Sequence, residues 1–201
     1  MKKVGLSLIS IMVLSGSGFA AENMNSDMQA AENDKPFYAG IALSAVSTRG
    51  SSVDLNFFSV EDGQDRLGNV TFNLGYDYNE YLAFEGRYTT TFKDEDVVEM
   101  NGWSIFLKPQ YPVNEDFTIY ALLGFGGVKI ENYLPGRTFD LDDTGFQWGF
   151  GLSYSLKNLT DYDFVIYADY TSLATDMDGV YWNGDLQTEA DALTVGLTYR
   201  F

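Results

Sequence analysis

The chain has 201 residues, no cysteine, no histidine and a formal net charge of −17. The lack of cysteine excludes a disulfide framework and a thiol nucleophile, and the lack of histidine removes the usual general base. The charge argues against nucleic acid and other polyanions, which proteins hold with Lys and Arg.

The first 20 residues, "MKKVGLSLISIMVLSGSGFA", run from Lys2 and Lys3 through an apolar stretch, Val4 to Leu14, to small residues at Gly18 and Ala20. That order predicts a secretory signal peptide cut after Ala20. The apolar run is shorter than the roughly 20 residues a spanning helix needs. Cleavage takes the net charge from −17 to −19, because Lys2 and Lys3 leave with it. Residues 21–36 are polar and without periodicity, and are expected to form a flexible leader.

From residue 37 to residue 201 the chain is expected to be one all-β domain. Its apolar residues recur at every second position, the period of a strand with two unlike faces. The runs in order are "FYAGIALSAVS", "NVTFNLGYDY", "LAFEGRYT", "WSIFLKPQY", "FTIYALLGFGG", "FQWGFGLSYSL", "YDFVIYADYT" and "ALTVGLTYRF". In the sixth, Phe146, Trp148, Phe150, Leu152 and Tyr154 fall on one face and Gln147, Gly149, Gly151 and Ser153 on the other. The connections alternate too. "DYNEY", "VNED" and "KNLTDY" are short, whereas residues 48–68, 93–102, 131–145 and 174–191 read as long loops. An even number of strands, with short turns at one end and long loops at the other, predicts an antiparallel up-and-down transmembrane β-barrel.

The faces say which way the barrel is turned. A soluble ligand-binding barrel keeps its bulky apolar side chains inside. Here the apolar face is the bulky one, and the other carries Gly, Ser, Thr, Asn and Gln together with Glu85, Arg87, Lys108, Asp169 and Arg200. Small and polar side chains suit a narrow lumen, and bulky apolar ones suit lipid. Outward aromatics gather at both ends: Phe37, Tyr76, Tyr78, Tyr111, Phe117, Tyr154, Tyr162, Tyr199 and Phe201 at the short-turn end, and Tyr88, Trp103, Phe146, Trp148 and Tyr170 at the other. Two such girdles mark the two membrane interfaces.

Two places could carry function. Glu85, Arg87, Lys108, Asp169 and Arg200 share inward parity, and unpaired lumenal charges are costly, so a paired network that plugs the lumen is expected. The alternative is a small low-conductance pore for ions or small solutes. The outer loops are rich in carboxylates. "DLDDTG" and "DMDG" supply Asp140, Asp142, Asp143, Asp176 and Asp178 as weak Ca²⁺ candidates, but neither has a full ligand set. No dedicated metal site and no cofactor are expected. Divalent cations bridging these carboxylates to lipopolysaccharide phosphate are the expected lipid-surface contact. Catalysis is not expected, since no spacing singles out a carboxylate pair.

The segment 37–201 resembles the small eight-stranded outer-membrane β-barrel family typified by the OmpA membrane domain and OmpX, within the porin-family outer membrane proteins. "LGYDYNEYLAFEGRY" is its most family-like hairpin, and "LTVGLTYRF" is similar to the C-terminal signal read by the outer-membrane assembly machinery. The resemblance implies a monomer in the outer membrane of a Gram-negative bacterium. It also implies that Tyr199 and Phe201 serve as the assembly signal, and that the role is structural or played at the cell surface. Peptidoglycan attachment is not expected, because no periplasmic domain follows Phe201 in this sequence.

Overall fold

The computed structural model describes residues 35–50, 64–91, 98–134, 137–181 and 184–201. The signal peptide and nearly all of the leader lie outside the described residues, as do Asp54, Glu61, Asp62, Asp94, Glu95 and Asp96 of the outer loops. Eight strands follow one another: β1 (Phe37–Gly50), β2 (Gln64–Asn79), β3 (Leu82–Thr91), β4 (Val98–Pro112), β5 (Phe117–Leu134), β6 (Arg137–Ser155), β7 (Phe164–Tyr181) and β8 (Gly184–Arg200). Each pairs antiparallel with its neighbour in sequence, and β8 pairs with β1 to close the barrel. Closure runs from Tyr38↔Arg200 to Gly50↔Thr188, and the Phe201 amide donates to the Phe37 carbonyl at 2.9 Å. No backbone edge is left along that seam, which is what a hydrocarbon environment demands.

The alternation of the sequence becomes the two sides of the wall. Ile41, Leu43, Phe72, Leu74, Ile105, Leu107, Phe125, Phe150, Leu152, Val195 and Leu197 point outward and are exposed. Asn69, Thr71, Asn73, Gln147, Thr171 and Thr194 point inward and are buried. In water an apolar surface of this extent would drive aggregation; against lipid it is the binding surface. The girdles lie where expected, with Phe37–Tyr76 and Phe164–Tyr199 ring contacts (5.1 and 5.3 Å) at the short-turn end, and Trp148–Tyr170 (5.8 Å) at the other.

The short turns are built by local side-chain chemistry. Asn79 Oδ1 accepts from the Tyr81 amide (2.8 Å), and Asn114 Oδ1 from the amides of Asp116 (3.0 Å) and Phe117 (2.8 Å). These are Asx turns, in which the Asn side chain mimics a backbone turn by accepting from amides further along the chain. Asn158 then donates to both carboxylate oxygens of Asp116 (2.8 Å each), tying two turns together. At the other end the strands outrun the sequence expectation. β5 continues to Leu134 and β6 starts at Arg137, while β7 continues to Tyr181 and β8 starts at Gly184. Most of what reads as loop over 131–145 and 174–191 is therefore paired strand. Beyond the membrane neither face is forced to be apolar, so alternation ends although the ladder continues.

Candidate functional site

The inward face holds a belt of charge across the middle of the lumen. Glu85 and Arg87 enter from β3, Lys108 from β4 and Asp169 from β7, and all are buried. Arg87 Nε donates to Glu85 Oε1 at 2.6 Å, while its Nη1 and Nη2 donate to Asp169 Oδ1 and Oδ2 at 3.0 and 2.7 Å. β3 and β7 stand opposite each other in an eight-strand ring, so this two-pronged bond crosses the bore. Lys108 Nζ donates to Glu85 Oε2 (3.0 Å), which also accepts from the Tyr38 hydroxyl (2.6 Å). Tyr120 donates to Asp169 Oδ2 at 2.9 Å. Two carboxylates meet two cations, every carboxylate oxygen has a donor, and the belt is neutral.

Aromatic rings fill the space around it. The Arg87 guanidinium lies over Phe106 (5.5 Å) and Tyr167 (5.7 Å), and Lys108 Nζ over Tyr38 (5.3 Å) and Tyr120 (4.2 Å). Such contacts stabilise a desolvated cation by about 2 kcal/mol at most sites of this kind. The rings fit because their neighbours have no side chain. A Cβ on Gly75 would strike the Tyr38 ring, and one on Gly151 would lie 2.6 Å from Tyr120 Cζ and 2.5 Å from Asp169 Cβ. Pro109, which has no N–H to give, sits where the β4–β5 ladder skips from Leu107↔Leu123 to Gln110↔Tyr120, and Lys108 beside it turns inward.

Arg200, which shares the inward parity, is not part of this belt. Its Nε lies 3.2 Å from Asp77 Oδ2 at the short-turn mouth, an ion pair without hydrogen-bond geometry, while Gln110 Nε2 donates to Asp77 Oδ1 at 3.3 Å. Parity gives the side of the wall but not the height along the bore. Nothing in the alternation separates Arg200 from Arg87, yet the registers Tyr38↔Arg200 and Asn73↔Arg87 set them at different levels.

A second closure lies toward the long-strand end. Val46, Met100, Val128, Ile130, Ala174, Ala190 and Ala192 form a buried apolar cluster, with Leu67 and Leu173 packed against it. These residues come from β1, β2, β4, β5, β7 and β8 and make a collar across the lumen. The lumen is thus polar in its middle and apolar above. Met100, Val128 and Ile130 lie in stretches that the sequence reads as loop or strand end, so alternation alone does not find the collar. A bulge helps build it: Thr171 and Asp169 face inward, and the register slip between Ser172 and Ala174 brings Ala174 inward opposite Ala190.

Of the acidic candidates, Asp142 is exposed, and Asp143 accepts from the Thr144 amide at 2.8 Å. The side chains of Asp140, Asp176 and Asp178 lie outside the described residues. Among the described residues no group of three or more carboxylates is placed to hold a metal ion. Tyr199 and Phe201 both face outward, stacked at 6.5 Å, and Phe201 also stacks on Phe37 at 6.4 Å.

A closed eight-strand barrel with a lipid-matched wall and a filled lumen defines an integral outer-membrane barrel. The chain belongs to the outer membrane protein beta-barrel domain family, whose profile it matches over residues 11–201. It is 30% identical over 138 residues to Outer membrane protein A of Buchnera aphidicola subsp. Schizaphis graminum, a match covering 62% of this chain and 37% of that protein. The chain therefore spans little more than a third of that relative's length. Among solved structures it is similar to Ail, the attachment invasion locus protein of Yersinia pestis, at 21% identity and a TM-score of 0.53 over 83% of this chain and 99% of Ail. Neisserial surface protein A gives 14% identity and a TM-score of 0.56 over 82% and 97%. At these identities the two structures speak for the shared fold.

Proposed function

We propose that this protein is a closed-lumen structural barrel of the outer membrane whose interactions take place at its outer surface rather than through its bore. The observation that carries this reading is the Arg87–Asp169 fork from opposite walls, backed by the apolar collar above it. Barrels of about eight strands have an interior that side chains can fill, and here those side chains are cross-bonded. A small pore has both closures against it. The lack of histidine and cysteine leaves catalysis without its common nucleophile and base.

The outer partner is lipopolysaccharide, bridged by divalent cations. The chain is acidic overall, with Asp+Glu 29 against Lys+Arg 12. Carboxylates and lipid phosphates repel each other directly but share a hard cation readily. A structure of Ail was solved in complex with a heparin analogue, sucrose octasulfate. The charge of the present chain predicts no comparable affinity for a polysulfated sugar. The test is flotation of refolded protein with lipopolysaccharide aggregates in Mg²⁺, then in chelator, beside sucrose octasulfate titration. Mg²⁺-dependent association without octasulfate binding supports the reading. Chelator-insensitive association, or tight octasulfate binding, contradicts it.

A further inference from the structure

The wall is closed at membrane height but parts between β6 and β7 above it. The β6–β7 ladder ends at Trp148↔Ser172, whereas β5–β6 continues to Leu134↔Arg137 and β7–β8 to Tyr181↔Gly184. Two hairpins therefore rise past the girdle marked by Trp148 and Tyr170, and they separate there. At the parting point the Gln147 side chain, not a backbone amide, donates to the Leu173 carbonyl at 2.9 Å. Register slips between Ser172 and Ala174 and between Ala174 and Met177 then bend β7.

β6 has no such slip. It keeps one unbroken register with β5 from Phe117↔Tyr154 to Leu134↔Arg137. The aim of its backbone groups can be read at its lower end. The Ser155 amide donates to the Asp116 carbonyl, toward β5, and the Leu156 amide to the Phe164 carbonyl, toward β7. Odd residues of β6 therefore point their N–H and C=O at β5, and even residues point theirs at the β7 side. Above the parting point the even residues are Thr138, Asp140, Asp142, Thr144 and Phe146. Among the described residues no strand pairs with them on that side. The Thr144 amide instead donates to its neighbour's carboxylate, Asp143 Oδ1, at 2.8 Å. A straight edge of this kind is a template for a further strand, and proteins blunt such edges with bulges or with charge. β7 has the bulges. β6 has the charge, all of one sign, in Asp140, Asp142 and Asp143, and the facing stretch of β7 adds Asp176 and Asp178. Like charges across a ladder disfavour pairing, so two copies of this edge repel, whereas a strand bearing Lys or Arg is drawn to it.

We propose that the upper edge of β6, from Thr138 to Phe146, is a strand-addition site for an extended basic segment of another protein. Main-chain bonds to the even residues supply the affinity, and the carboxylates select Lys and Arg at alternate positions of the incoming strand. The site lies outside the cell, because the short turns of such barrels are periplasmic. It needs no divalent cation and does not rest on the lipopolysaccharide reading.

The test uses ¹⁵N-labelled protein in phosphatidylcholine nanodiscs, with chelator present, and a synthetic peptide of alternating Lys and Val. A fully N-methylated copy of the peptide keeps the charge but has no ladder donors. The plain peptide should bind and slow amide exchange at Asp140 and Asp142, and the methylated copy should do neither. Asp142→Asn should weaken binding by lost charge alone. Asp142→Pro removes an N–H that β5 does not use, so the barrel should still fold, and binding should fall by roughly tenfold beyond the Asn variant. Equal binding of the two peptides, or equal affinity of the two variants, reduces the contact to charge and overturns the proposal. So does a folded parent protein that leaves the plain peptide unbound.

Discussion

Replacing Glu85 by Ala tests the belt most severely. The change takes one negative charge from a neutral buried set and leaves three donors without their acceptor: Arg87 Nε at 2.6 Å, Lys108 Nζ at 3.0 Å and the Tyr38 hydroxyl at 2.6 Å. Arg87 keeps Asp169, so the uncompensated charge falls on Lys108, whose side chain is only 11% exposed. Removing one partner from a buried pair costs roughly 3–5 kcal/mol. With a urea m-value of about 2 kcal/mol/M, the unfolding midpoint should fall by about 1.5–2.5 M. Unfolding from lipid vesicles can be followed by the emission of the outward-facing Trp103 and Trp148. The double variant Glu85→Ala, Lys108→Met restores neutrality and should recover a substantial part of the loss. Either a parent-like midpoint for Glu85→Ala or no recovery in the double variant would refute the network.

Arg200→Ala should lower stability by less than Glu85→Ala in the same assay, because Arg200 is 30% exposed at the mouth and lacks hydrogen-bond geometry to Asp77, although the Asp77 carboxylate it leaves behind is buried. Gly151→Val should destabilise by about 1–3 kcal/mol through overpacking against Tyr120 and Asp169, and adding Tyr120→Ala should relieve part of that. For Phe201 the family resemblance implies an assembly role. Phe201→Ser should sharply reduce outer-membrane levels in cells while leaving refolding of purified protein in detergent nearly intact, and Phe201→Tyr should match the parent. Normal levels of Phe201→Ser in fractionated membranes would remove the recognition role without touching the barrel.

How legible this was in the sequence depended on what lay on either side of each residue. Where lipid touches one face and the lumen the other, as along Phe146–Ser155, the two environments impose strict alternation, and the strand and its orientation can be read directly. Past Phe125 the outer face is no longer forced to be apolar while Val128 and Ile130 turn into the collar, so β5 runs on to Leu134 without a clean alternation. Parity put Glu85, Arg87, Lys108, Asp169 and Arg200 in the bore together. The height of each depends on barrel register, a long-range property, which is why Arg200 separates from the rest. Tyr38 and Tyr120 completing the belt were hidden for another reason. Their phenols could be read as ordinary strand aromatics, and only Gly75 and Gly151, the spaces they occupy, hinted otherwise.

Single-channel recording of the refolded protein in planar bilayers tests the closed lumen most directly. With the Arg87–Asp169 fork across the bore and the collar above it, insertion of folded protein should leave the bilayer at its baseline conductance. Reproducible conductance steps of uniform size, from a preparation whose folded state is verified, would contradict the account and establish a pore.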